Sequence, residues 1–186
     1  MELVLTNVYI FVMATVLAIL EIQIEGANGW AKNLPTWRPS PDHPVAKIYA
    51  KMMSGKQLTG YHSAMFGFVL LIFHLPYFFG LPFNLESWSK TLAFFFIFVA
   101  LWDFLWFVLN PFHPLKNFAK ENPNHKSFLL GMPVDYYYAL AISLAIATLG
   151  GFFTWWLANM GLFVLETILT ILFTIYVLDI DNWVEK

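Results

Sequence analysis

Apolar residues run along this chain in five stretches, each bounded by polar or Pro/Gly-rich sequence. Each is close to the twenty or so residues a helix needs to cross about 30 Å of hydrocarbon. The pattern predicts spans over residues 3–22, 61–81, 92–109, 134–157 and 162–180, with the polar turn PFNLESWSK between the second and third. No ten-residue alternating segments suggest a barrel, and open strands would leave backbone donors and acceptors unpaired in lipid. The expected fold is therefore all-α: a polytopic membrane protein of five transmembrane helices in one integral domain. The first run opens MELVL with an acidic residue, lacks a basic leader segment and exceeds the apolar core of a signal, so it is expected to stay as a permanent span.

The long connection after the first span, 26–60, reads as a cap over the helix ends. Its front half, NLPTWRPSPDHP, carries four prolines that forbid continuous helix. In its back half Val45, Ile48, Tyr49, Met52 and Met53 recur at spacings of three and four, with Lys47 and Lys51 on another face. That spacing predicts a short amphipathic helix from Val45 to Ser54. Two dispositions fit it: an interfacial helix whose lysines reach anionic lipid headgroups, or a lid packed on the bundle.

Composition agrees with the pattern. Hydrophobic residues make up 59% of the 186 positions and charged residues only 12%, about half the charge of a soluble domain. With five spans, nine of the ten Lys and Arg residues fall on one side and only Lys90 on the other. The positive-inside rule makes the rich side cytoplasmic, so the N-terminus is expected outside and the C-terminus in the cytoplasm. The absence of cysteine excludes disulfides, thiolate metal sites and a cysteine nucleophile.

Polar residues within or beside apolar spans are expensive and mark candidate chemistry. Glu21 and Glu25 close the first span, one helical turn apart, ahead of Gly26. Two carboxylates there repel one another and oppose the negative end of the helix dipole, so they call for a positive partner. His62 opens the second span from the same side. Asp103 sits seven residues, about 10 Å, before Asn110 at the end of the third, and His113 follows between two prolines. Asn110 itself suits a cap on free carbonyls. Carboxylates with imidazoles are the donor set of Zn, Mn or non-haem Fe, so Glu21, Glu25, His62, Asp103 and His113 are candidate metal ligands. A carboxylate left off the metal, Glu25 or Asp103, would then serve as general base. The same residues also suit structural pairs: Glu21 with Lys32 or Arg38, and Asp103 with His62 or a Trp indole. Toward the other face, His74 and Glu166 stand at comparable heights and form either a buried pair or part of a proton path. His43 and His125 read as solvated loop residues.

Several classes are lowered by what is missing. No HExxH or related box, no phosphate-binding loop, no lysine inside a span and no basic aromatic surface for nucleic acid occurs. The expected function is a small intramembrane enzyme that uses a divalent metal (Zn, Fe or Mn) on a lipid-like substrate at the cytoplasmic membrane face, by hydrolysis or oxidation. A proton- or cation-coupled transporter or channel, and a non-catalytic membrane adaptor, are the alternatives.

Overall fold

The computed structural model describes residues 2–53, 55–113, 115–119, 125 and 127–183. Ser54, the predicted end of the loop helix, and Lys120, Lys126 and Lys186, three of the basic residues behind the orientation, lie outside them. The described chain is helical: α1 Glu2–Glu25, α2 Pro44–Met52, α3 Gly60–Phe78, α4 Leu85–Leu109, α5 Val134–Leu149 and α6 Phe153–Tyr176. A two-residue antiparallel pair, β1 Phe128–Leu129 with β2 Met132–Pro133, leads into α5.

Four of these helices, α1, α3, α4 and α6, are long and apolar enough to cross a membrane. The fifth apolar helix, α5, has 16 residues and reaches about 24 Å at 1.5 Å per residue, short of a full hydrocarbon crossing. The predicted fourth run, 134–157, is cut because Gly150 and Gly151 stop the helix. Gly151 has φ +74, its N–H bonds to Thr148 O at 3.2 Å, and Phe152 N–H reaches back to Ala147 O at 2.9 Å. This is a Schellman stop, completed by packing of Phe152 against Ala147. The last helix therefore starts at Phe153 rather than at 162, and residues 158–161, the gap between the last two predicted spans, lie inside it.

The third predicted span is also extended. Asn84 Oδ1 accepts the Ser87 N–H at 2.9 Å and Ser87 Oγ accepts the Asn84 N–H at 3.3 Å, a capping box that starts α4 seven residues earlier than hydropathy alone indicates. Much of the PFNLESWSK turn is thus the first turns of a helix. A Glu86–Lys90 pair at 2.6 Å one turn apart reinforces it.

Helix α4 is the spine of the bundle. In its most apolar stretch 61% of the residues are buried, against 28% in α1 and 17% in each of α3 and α6. Phe98, Leu105 and Trp106 of α4 form the centre of the core, flanked by Ile22 of α1, Val69 of α3 and Phe163 of α6. Ala14 and Ala18, both fully buried, give α1 a narrow face on which close helix packing depends. Two polar ties join the outer helices. Asn7 Nδ2 donates to Asn159 Oδ1 at 3.0 Å between α1 and α6. Ser143 Oγ donates to Ala93 O at 2.9 Å and accepts the Trp156 indole N–H at 2.8 Å, linking α4, α5 and α6.

The Gly-Gly stop is open to test. Gly151→Ala forces a side chain into a left-handed conformation and is expected to cost about 1–2 kcal/mol. Gly150→Ala sets a Cβ 2.2 Å from the Phe152 ring and 3.0 Å from Ile146 O, so it should cost as much or more. Gly161, inside α6 with nothing within 4 Å of a Cβ, should gain up to about 1 kcal/mol on changing to Ala. Thermal unfolding midpoints in detergent should fall for the first two and hold or rise for the third.

Candidate metal centre

The C-terminus of α1, the N-terminus of α3, the lower part of α4 and the start of α5 meet at one end of the bundle. Helix α1 stops after Glu25 because Gly26 takes φ +62, and the chain then makes an unusual turn. Gly29, Trp30 and Ala31 have φ +59, +45 and +52. Left-handed backbone at two consecutive residues with side chains costs about 1–2 kcal/mol each, and the contacts formed show what offsets it. The Ala31 N–H donates to Glu25 Oε1 at 2.5 Å, and Trp30 lies stacked on the His62 ring at 4.0 Å and 15°.

Glu21, Glu25 and His62 are all buried. His62 Nε2 stands 3.4 Å from Glu25 Oε1 and 3.7 Å from Glu21 Oε1, and one donor atom from each residue falls within a common 4.8 Å. Ligands sharing one Zn, Fe or Mn ion at about 2.0–2.2 Å lie about 3–3.5 Å apart, so small side-chain movements bring all three onto a single ion. The other ring nitrogen, Nδ1, is 2.8 Å from Thr59 Oγ1, and Thr59 also caps α3 through the His62 N–H at 3.2 Å. A histidine whose Nδ1–H is held by an oxygen presents Nε2 as a lone pair, the arrangement of an oriented metal ligand.

The cationic partners expected for these carboxylates are elsewhere. Arg38 donates to the carbonyls of Ala31 at 2.5 Å, Thr36 at 3.0 Å and Leu34 at 3.3 Å, bracing the loop from within, and Lys32 is exposed. Among the described residues no lysine or arginine forms an ion pair with Glu21 or Glu25; His62 alone does so.

The other two candidate ligands stand apart from this trio. His113 Nε2–H donates to Ala27 O at 2.5 Å and, with Asn110 Nδ2 donating to Gly26 O at 3.5 Å, ties the end of α4 to the turn after α1. Asn110 also takes the Phe112 N–H at 3.0 Å, so it caps and clamps. Asp103 is joined not to His62 but to His125. His125 Nε2 is 2.7 Å from Asp103 Oδ2, and Nδ1 is 3.1 Å from Asp135 Oδ2. Tyr136 Oη–H donates to the same Asp103 oxygen, while Lys56 Nζ lies 3.4 Å from Asp135 and 3.3 Å from His125 Nδ1. The expectation that His125 is a solvated loop residue is corrected: it is 5% exposed. Two carboxylates on opposite ring edges draw it in, which its NHK context conceals. Asp135 could have been found by the rule that selected Asp103, since it sits just inside an apolar run on the basic side.

Trp30 joins the two clusters. Lys56 Nζ lies over its ring at 4.5 Å from the centroid, and its indole N–H donates to Gln57 O at 2.8 Å. Both clusters open onto one cavity of about 770 Å³ whose far walls are apolar side chains of α3, α4 and α5. At the opposite end of the bundle, His74 is held by Leu70 O at 2.7 Å and takes the Trp88 indole N–H at 3.2 Å. Glu166 Oε2 is buried without a hydrogen-bond partner among the described residues. The structure records no contact joining His74 and Glu166.

The His125 cluster gives a pH signature. Burial alone would lower the imidazole pKa, but the charge and hydrogen bond of Asp103 and the hydrogen bond of Asp135 outweigh it, Lys56 opposing, and the result lies above the ordinary histidine range. A raised folded-state pKa contributes stability that is fully present below the unfolded value of about 6.5 and lost as pH rises through the folded value. The thermal midpoint of the parent should therefore exceed that of His125→Gln most clearly near pH 6, with the difference shrinking toward pH 9. A difference independent of pH would contradict the charged assignment. No protein-family model, curated protein or solved structure matches this chain, so the chemistry of the site is argued from its own residues.

Proposed function

We propose that the protein is a small integral membrane enzyme that holds one divalent metal on Glu21, Glu25 and His62 and acts on a lipid-like substrate at the cytoplasmic membrane face. The observation that carries this reading is the convergence of two buried carboxylates and an oriented imidazole nitrogen at the head of a cavity with apolar walls. Burying two carboxylates without a counter-charge costs several kcal/mol, and a dication resolves that cost through the same three donors.

Three protein ligands leave coordination positions free, the pattern of a catalytic rather than a closed structural ion. The bound metal would supply an activated water if zinc, or an oxidising centre if iron or manganese. With Glu25 among the ligands, Asp103 is the carboxylate left for proton transfer. Its Oδ2 is fixed by Tyr136 and His125, its residue lines the cavity, and Oδ1 has no hydrogen bond among the described residues, so Oδ1 takes the proton.

In this reading the chain crosses the membrane five times, α5 included, with the N-terminus outside and the C-terminus in the cytoplasm; the support is the concentration of Lys and Arg on one side. Helix α2 lies in the interface. Val45 and Ile48 are 56% and 62% exposed, apolar surface that an acyl boundary would cover, and Lys51 is free to meet anionic headgroups.

Metal content of the purified protein, after loading and desalting, should be about one ion per chain, and Glu21→Gln and His62→Gln should lose it. Thr59→Val keeps all three donors but frees the imidazole, and should weaken binding about 10–100-fold. Chelation should lower the unfolding midpoint of the parent while leaving Glu21→Gln unmoved, since only a chain that binds the ion is stabilised by it. A parent protein that takes up none of Zn, Fe or Mn would overturn the proposal.

A further inference from the structure

The cavity that holds both clusters also restricts what can enter it, and the inference drawn from this rests on the metal reading above. Three carboxylates, Glu21, Asp103 and Asp135, line its polar end, and Glu25 completes the two clusters behind them. Lys56 and His125 are engaged by Asp135 and Asp103, and a dication would balance Glu21 and Glu25. Each cluster is then formally neutral. Among the described residues no cation at the depth of Asp103 is left over to receive an anion; the remaining lysine on the cavity wall, Lys51, is exposed and belongs to α2.

Beyond the polar end the walls are Phe66 of α3, Phe96 of α4, and Ala139, Ile142 and Ala145 of α5. From Tyr136 to Ala145 the wall rises about 14 Å at 1.5 Å per residue. Ala139 and Ala145 line this part of the cavity, and a phenylalanine at either position would take up part of its space. A volume of about 770 Å³ falls in the range of small-molecule sites, enough for one alkyl chain and its head. An anionic head carried to the depth of Asp103 would lie among carboxylates with no free cation among the described residues, a position that buried charge does not tolerate.

We infer that the cavity takes a single-chain lipid with an uncharged oxygen function at its head, a long-chain alcohol, aldehyde or ester, with the chain along the Ala139–Ala145 face of α5 and the head between Asp103 and the Glu21–Glu25–His62 trio. Anionic headgroups belong at the rim, with Lys51, and not in the site.

The test is native mass spectrometry of the full chain, metal-loaded, in an amphipol without alkyl detergent, with dodecanol and dodecanoate as probes. One dodecanol per chain should be retained, and dodecanoate should bind at least about tenfold more weakly. Ala145→Phe and Ala139→Phe, which fill the cavity, should each lower dodecanol occupancy about tenfold or more. Leu144→Phe, at an α5 position that does not line the cavity, should not. Circular dichroism and unfolding midpoints identify any variant that has not folded, and the two filling variants stand in for one another. Equal retention of alcohol and carboxylate would overturn the neutral head, and undiminished binding in both folded filling variants would overturn the location. Repeating the measurement on chelated protein separates the two proposals. A chain that holds no metal yet retains dodecanol with the stated selectivity sinks the metal reading alone; one that binds metal but shows no selectivity sinks this one.

Discussion

The end of α1 sets the problem that the surrounding structure answers. A helix of 24 residues, apolar through its length, finishes with two buried carboxylates one turn apart. They repel each other, they stand at the negative end of the helix dipole, and they are removed from water, where an uncompensated charge costs several kcal/mol. Nothing in α1 relieves this. Relief comes from outside the helix, and each nearby departure from regular structure serves it. The left-handed turn at Gly29, Trp30 and Ala31 delivers a backbone N–H to Glu25. Thr59 starts α3 where His62 can face the carboxylates and also fixes its ring. Arg38 satisfies the carbonyls that so tight a turn leaves exposed.

The spine helix connects that solution to the rest of the fold. Because α4 packs against α1, α3, α5 and α6, its Asp103 lies within reach of groups on several elements, His125 among them. His125 is held by a ring contact to each of two carboxylates, Asp103 and Asp135, which are themselves met by the Tyr136 hydroxyl and by Lys56. Polar groups gathered at one depth are stable only when their hydrogen bonds are completed. The second cluster has Lys56 and His125 set against its two carboxylates, whereas among the described residues the first has only His62. That asymmetry is the reason for placing an ion in one and not the other.

Much of this was legible before the structure. Apolar run length locates the helices, and the polar positions at the rims of those runs pick out Glu21, Glu25, His62 and Asp103, because hydropathy and cost are one-dimensional properties. Boundaries governed by local backbone chemistry were less visible. The Asn84–Ser87 box extends α4 into sequence that looks like a turn, and Gly150–Gly151 breaks a run that hydropathy joins. Partner choice was least visible. Asp103 and His62 enter from the same side and pair naturally on paper, yet loop residue His125 takes Asp103. His113, rigid between prolines, serves a backbone carbonyl. Which imidazole reaches which carboxylate depends on the path of connections that carry no periodicity.

Trp30 shows how the two clusters coexist at close range. The His62 ring lies stacked on the indole at 4.0 Å, and a metal held on Nε2 would make that ring more positive and strengthen the stacking. The same indole also receives the Lys56 ammonium at 4.5 Å from its centroid, an interaction of about 0.5–2 kcal/mol. The strained backbone that presents Trp30 therefore does more than close a turn: it sets one indole against both His62 and Lys56, the ring of the first cluster and the cation of the second.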